Sequence, residues 1–182
     1  SPTVASVKST STNTTYGTGA SINITVNFSE SVTLSSGGSM TVTLNSATDR
    51  TVSITSISSA SSASGTYTVV EGDASGDLSV DSIAVSSGAS LSDAAGNAMS
   101  SFSVPADNNL SDNNAIIINT TKPSTPLGFA VNSNYGSVGL AWTAVSSVTG
   151  YKVYRGTSTS DLSLLTDTVT INSFTEETSM CL

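Results

Sequence analysis

The sequence predicts an all-β protein of two sandwich modules, and three observations carry that expectation. Apolar and polar residues alternate in short runs, most regularly over Ser21 to Phe28, where every even position is apolar and every odd one polar. A strand points successive side chains to opposite faces, so this run has a buried face and a wet face, with a period too short for a helix. Roughly a third of the 182 residues are Ser or Thr, while 10 % are charged. Thr favours strands and Ser favours turns. Finally, the stretch from Asn119 to Pro126 breaks the alternation with two prolines. Each fixes its own φ and holds the preceding residue extended, so residues 122–126 read as a connector between a module at 1–121 and another at 127–182.

In the first module Thr3 to Val7 is a short opening strand, and Ser21 to Phe28 is the clearest one. Val32 and Leu34 follow Glu30, Gly37-Gly38 marks a turn, and Met40, Val42 and Leu44 alternate with Thr41 and Thr43. Arg50 to Ile57 repeats the pattern through Val52 and Ile54. Ser58 to Gly65 reads as a loop of small residues leading to Tyr67 and Val69. Leu78, Val80, Ile83 and Val85 make an interrupted strand region, and Ala115 to Ile118 is the last strand. That is about seven strands at the spacing of a two-sheet sandwich, in a length sufficient for one core.

Four of these stretches together resemble bacterial immunoglobulin-like repeats: Ser29-Glu30-Ser31-Val32, Val70-Glu71-Gly72-Asp73, Leu91 to Asn97, and Ile116 to Thr120. The resemblance covers nearly the whole first module. It implies an immunoglobulin-like sandwich of the kind found in tandem in large surface proteins and adhesins.

In the second module Gly128 to Asn132 is a first strand. Val138, Leu140 and Trp142 alternate with Gly139, Ala141 and Thr143, which turns Trp142 to a core. Gly150-Tyr151-Lys152-Val153-Tyr154-Arg155-Gly156 puts Tyr151 and Val153 on one face. Leu164-Leu165 and Ser173-Phe174-Thr175 supply two more short strands. The Trp ending one strand and the Gly-Tyr-x-Val-Tyr-Arg-Gly run in the next resemble a fibronectin type III module, from Pro126 to about Thr178. Such a module has seven strands. Here only the first five are present, and the missing pair includes the central partner of Tyr151 to Arg155. Three or four core side chains go with it, each worth about 1.5–3 kcal/mol of burial. The sum, about 5–10 kcal/mol, is comparable to the stability of a small domain.

Three consequences of that shortfall stay open: a loosely folded half-module, a sequence cut within a module, or a gap filled by a strand from another chain. The third predicts an assembly surface at Tyr151, Lys152, Val153, Tyr154 and Arg155. Its donor would be a terminal strand of another copy, at Thr3, Val4 and Val7 through Lys8, or a neighbouring repeat of the same chain, with Lys122, Pro123 and Pro126 as a hinge.

The inventory narrows the function classes. There is no histidine, so no histidine base, Ser-His-Asp triad or histidine-rich zinc site. The acids sit in turns with no aromatic-lined groove beside them, and the expectation is a non-enzyme. Net charge is -8, and the five bases are scattered at Lys8, Arg50, Lys122, Lys152 and Arg155. Without a basic patch there is no expected nucleic-acid partner, and no apolar run is long enough to span a bilayer. Scarce Lys and Arg suit exposure to secreted proteases, hence an extracellular or cell-surface setting. Ser1 to Val4 resembles the end of another connector, so the chain reads as a piece of a longer one. Cys181 is the single cysteine, either a free thiol or half of an intermolecular bridge.

Calcium is the candidate cofactor. Glu71, Asp73, Asp77 and Asp81 cluster in one loop region, Asp93 and Asn97 frame a turn, and Asp107 and Asp112 precede the last strand. Their oxygens suit a hard cation, and they equally suit turns that bond their own backbone. Asn-x-Ser/Thr sequons stand at Asn13, Asn23, Asn27, Asn109 and Asn119, with Asn23 and Asn27 expected on a solvent face. Lys8 is weighed as an isopeptide donor against a solvated lysine. Together these readings describe a structural or adhesive β-module of a fibre or adhesin. The alternative is a polysaccharide-binding or spacer module offering Tyr16, Tyr135 and Tyr154 to a glycan, and a virion fibre component would read the same way.

Overall fold

The strongest alternation in the sequence becomes the longest strand. β1 (Val4–Lys8), β2 (Thr15–Tyr16) and β3 (Ser21–Leu34) open the chain, and β3 runs unbroken for 14 residues. Ile22, Ile24, Val26, Phe28, Val32 and Leu34 are all buried along it. The computed structural model describes residues 1–177, and the chain divides into two units between Thr121 and Lys122. The sequence reading placed the clearest strand at Ser21 to Phe28, with Val32 and Leu34 following Glu30. The period of two in fact stays in phase through the exposed Ser29, Glu30 and Ser31, and the irregularity falls in the ladder to a neighbouring strand instead.

That neighbour is the main correction to the sequence reading. After β4 (Met40–Leu44) and β5 (Arg50–Ile54), the stretch expected to be a small-residue loop is β6 (Ala60–Thr68), paired antiparallel to β3 over most of its length. Its small residues hid the strand, and packing explains them. A Cβ at Gly65 would lie 2.3 Å from Val52 Cγ1 and 3.2 Å from Ile54 Cγ1. Overfilling a core typically costs about 1–3 kcal/mol, so Gly65→Ala is expected to lower the first unit's stability by that amount, read as a fall in its Tm.

The rest of the unit is β7 (Ala74–Ser75), β8 (Val80–Val85), β9 (Leu91–Ser92), the helical turn α1 (Leu110–Asn113) and β10 (Ile117–Asn119). One sheet has the order β1-β3-β6, with β9 on the end of β3; a second has β5-β4-β8; a third is β2-β10-β7. None closes into a barrel. Met40, Val42 and Leu44 from β4 join the β3 residues in one buried cluster with Val52, Ile83 and Leu91. The arrangement is sandwich-like, as alternation on both sheets requires.

From Lys122 onward the chain forms β11 (Ala130–Asn134), β12 (Ser137–Ala141), β13 (Tyr151–Arg155), β14 (Ser163–Val169) and β15 (Ser173–Glu177). These are the five strands expected. β11-β12-β15 make one sheet and β13-β14 another. The buried cluster of this unit is Trp142, Val153 and Val169, with Leu140, Tyr151, Leu165 and Phe174 packed on it. No described helix is long and apolar enough to cross a membrane.

Candidate functional site: an open strand edge

β13 alternates as its sequence dictates. Val153 is buried and Tyr151 half-buried, while Lys152 and Tyr154 face out. Gly150 lets the chain into the strand, because a Cβ there would stand 2.9 Å from the Val169 carbonyl oxygen. The Tyr151 ring meets Trp142 edge-on, with centroids 5.0 Å apart and planes at 69°, a favoured aromatic geometry. Its hydroxyl oxygen accepts from the Val145 N–H at 2.8 Å. Asn172 holds the Trp142 backbone by accepting from its N–H at 3.1 Å and donating to its carbonyl at 2.8 Å. Arg155 donates to Glu176, tying β13 to β15 of the facing sheet.

On one side β13 pairs with β14; its other edge has no strand among the described residues. The facing sheet shows what that edge lacks. Val131, Leu140 and Phe174 stand opposite one another in register across β11, β12 and β15, and directly paired residues share a face. Leu140 and Phe174 are covered by the cluster around Val153. Val131, on the same face, is 55 % exposed, and Phe129 beside it is 63 % exposed. The two-stranded sheet therefore covers β15 and β12 and stops short of β11. A hollow of about 180 Å³ remains, lined by Phe129, Leu140, Trp142, Tyr151 and Val153 among others. Trp142 Nε1 is buried without a hydrogen-bond partner among the described residues. Buried N–H groups are ordinarily paired, and an orphan costs about 1–3 kcal/mol.

The expected donor strand is engaged within its own unit. Val4 and Val7 are buried in the first unit's core, and β1 pairs with β3 from Val4 to Lys8. Thr3 is tied to Ser29 through both backbone groups. The far edge of β1 is covered as well: the Val7 N–H donates to the Asn108 carbonyl, Asn113 Nδ2 donates to the Val7 carbonyl, and Asn114 both accepts from and donates to the Ser9 backbone. A side-chain strap of this kind blunts an edge. Withdrawing β1 would open its own core. Lys8 is exposed opposite Thr25, without the burial that an isopeptide bond requires.

The calcium candidates are not brought together. Among the described residues no three His, Cys, Asp or Glu side chains are placed to hold an ion. Asp73 is fully buried and both its oxygens are engaged: Oδ1 accepts from Arg50 Nε at 2.6 Å, and Oδ2 from Tyr67 Oη at 2.7 Å and the Val70 N–H at 2.9 Å. Burial pushes its carboxyl up, but those three hydrogen bonds and the Arg50 charge outweigh it and hold the group below the usual carboxylate range. The same burial pushes the Tyr67 hydroxyl up to about 12. Glu71, Asp77 and Asp81 are exposed, as are Asp107 and Asp112. Asp93 and Asn97 form a closed turn: Asn97 Nδ2 and N–H and the Ala95 N–H all donate to the Asp93 carboxylate, and hold it below its ordinary range. Sequence reasoning counted Asp73 as a ligand and missed its partners. The signal was Tyr67 on an apolar-alternating strand, since a buried hydroxyl needs a partner nearby.

The sequons differ. Asn13 and Asn119 are exposed, and Asn23 and Asn27 are half-buried with side-chain hydrogen bonds to Thr25 and Ser6. Asn109 cannot serve as an acceptor in the folded unit. Its side chain accepts from the N–H groups of Leu110 and Val80 and donates to the Val80 carbonyl. Of the tyrosines proposed for glycans, Tyr16 donates its hydroxyl to Thr12, Tyr154 is 50 % exposed, and Tyr135 is 91 % exposed in the turn between β11 and β12. Lys122, Pro123 and Pro126 lie in a stretch without regular structure. Cys181 lies outside the described residues. No protein-family model matches the chain, and no curated protein or solved structure matches it.

Proposed function

We propose that the chain is a non-enzymatic, extracellular structural or adhesive module that assembles when an outside strand lands on the open edge of β13. The observation that carries this reading is the uncovered inner face at Phe129 and Val131, beside a strand edge and a Trp142 Nε1 that both lack a partner among the described residues. Each feature alone is ordinary; together they support reading the unit as a sandwich one or two strands too narrow on one side. The resemblance to a fibronectin type III module supports it, because the strands absent from the described residues would sit at this edge. The first unit, read as an immunoglobulin-like repeat, is the spacer. A free edge next to uncovered apolar surface recruits β-strands.

Sedimentation of the full chain over a concentration series, with negative-stain microscopy of the same samples, tests the reading. Wild type is expected to associate as concentration rises. Phe129→Asp/Val131→Asp should stay monomeric with an unchanged circular dichroism spectrum, since both side chains are already more than half exposed. A wild-type chain that stays monomeric throughout would overturn it.

A further inference from the structure

Resting on that reading of the open edge, we propose that the strand it receives is residues 101–104 of a second copy. Ser101-Phe102-Ser103-Val104 alternates with a period of two. Phe102 and Val104 are half-buried and Ser101 and Ser103 exposed. The segment belongs to no ladder, and among the described residues the backbone N–H and C=O groups of Phe102 and Val104 make no hydrogen bond. It has the alternation of a strand and, among the described residues, no partner strand. Phe102 and Val104 pack against their own unit's core but stay half-buried, and with Val80–Ile83 of β8 they line a hollow of about 500 Å³.

Donor and acceptor match in size, pairing and charge. A cavity of about 150 Å³ lined by apolar side chains holds a benzene ring, and the hollow over Trp142 is about 180 Å³, room for the Phe102 phenyl group. Residues two apart on a strand share a face about 6–7 Å apart, so Val104 continues along the uncovered face when Phe102 is seated. Donor backbone groups that make no hydrogen bond among the described residues meet the edge of β13 that β14 leaves open. The charges on β13 are Lys152 and Arg155, both basic, the latter already paired with Glu176. Residues 51–121 contain no base, and Asp93, Asp107 and Asp112 flank the donor. The donor lies in the first unit and the acceptor in the second, so each copy carries both halves of the contact and can give and receive a strand at once.

The test uses the full chain and a complementation design. Phe102→Asp should weaken association at least tenfold, while Phe102→Leu keeps it. Phe102→Asp mixed with Phe129→Asp/Val131→Asp should give a 1:1 heterodimer that goes no further, because one chain keeps its acceptor and the other its donor. If Phe102→Asp disturbs its own unit, disulfide capture in a Cys181→Ser background replaces it. Ser103→Cys on one chain should cross-link to Lys152→Cys on another under mild oxidation, well above a Ser87→Cys control. Association of Phe102→Asp at the wild-type level, or cross-linking no better than the control, would overturn residues 101–104 as donor while leaving the open edge standing. Absence of wild-type association would overturn both.

Discussion

Replacing Asp73 with alanine is expected to destabilise the first unit by about 3–5 kcal/mol. The figure follows from what would be left behind. Tyr67 Oη and the Val70 N–H would lose their acceptor in the interior, and Arg50 would lose its carboxylate. Breaking a buried pair by removing one partner leaves uncompensated polar groups, and it is this, more than the lost attraction, that costs so much. Chemical denaturation should show the loss as a lower midpoint with an unchanged slope. The network also sets the pH range. The folded Asp73 carboxyl titrates below its unfolded value of about 3.9, so its contribution is complete above that value and is lost as pH falls through the folded pKa. Tyr67 acts at the other end: its folded pKa of about 12 lies above the unfolded value near 10, so stability should fall as pH rises from about 10 to about 12. A Tm-against-pH series on wild type and Tyr67→Phe should lose the alkaline limb in the variant.

Trp142→Ala is expected to unfold the second unit while the first stays intact. Truncating a buried Trp costs about 3–5 kcal/mol, and here the buried cluster is only Trp142, Val153 and Val169. Two of the partly buried neighbours, Tyr151 and Leu140, also line the hollow beside it. A core that small has little to spare. Hydrogen exchange by mass spectrometry should show Ala130–Glu177 exchanging at the unfolded rate and β3 still protected. Retained protection on β12 and β15 would mean that the unit is held by more than this cluster.

The buried face of this chain was largely legible in its sequence. Even positions from Ile22 to Phe28, the run Met40, Val42 and Leu44, and Trp142 all lie where alternation put them, because a half-buried strand forces a period of two on its sequence. β6 was not legible. Gly65 is small because Val52 and Ile54 occupy the space where a side chain would be, and a contact between strands distant in sequence leaves no local periodic trace. The acidic residues misled for a related reason: Asp suits a turn, a metal or a buried ion pair equally well, and only the placement of Arg50 against Asp73 separates them. Counting strands in the sequence raised the expectation of an open edge at β13, and among the described residues β14 is its one strand neighbour. That Thr3 to Lys8 is held within its own unit depended on Asn108, Asn113 and Asn114, more than a hundred residues away.

Hydrogen exchange on Tyr151–Arg155, followed from dilute to concentrated protein, tests the open edge most directly. The amides of β13 that β14 does not take should exchange freely in dilute solution and become protected as concentration rises, with β3 unchanged. Those amides protected at every dilution, or exposed at every concentration, would contradict an edge that waits for an outside strand.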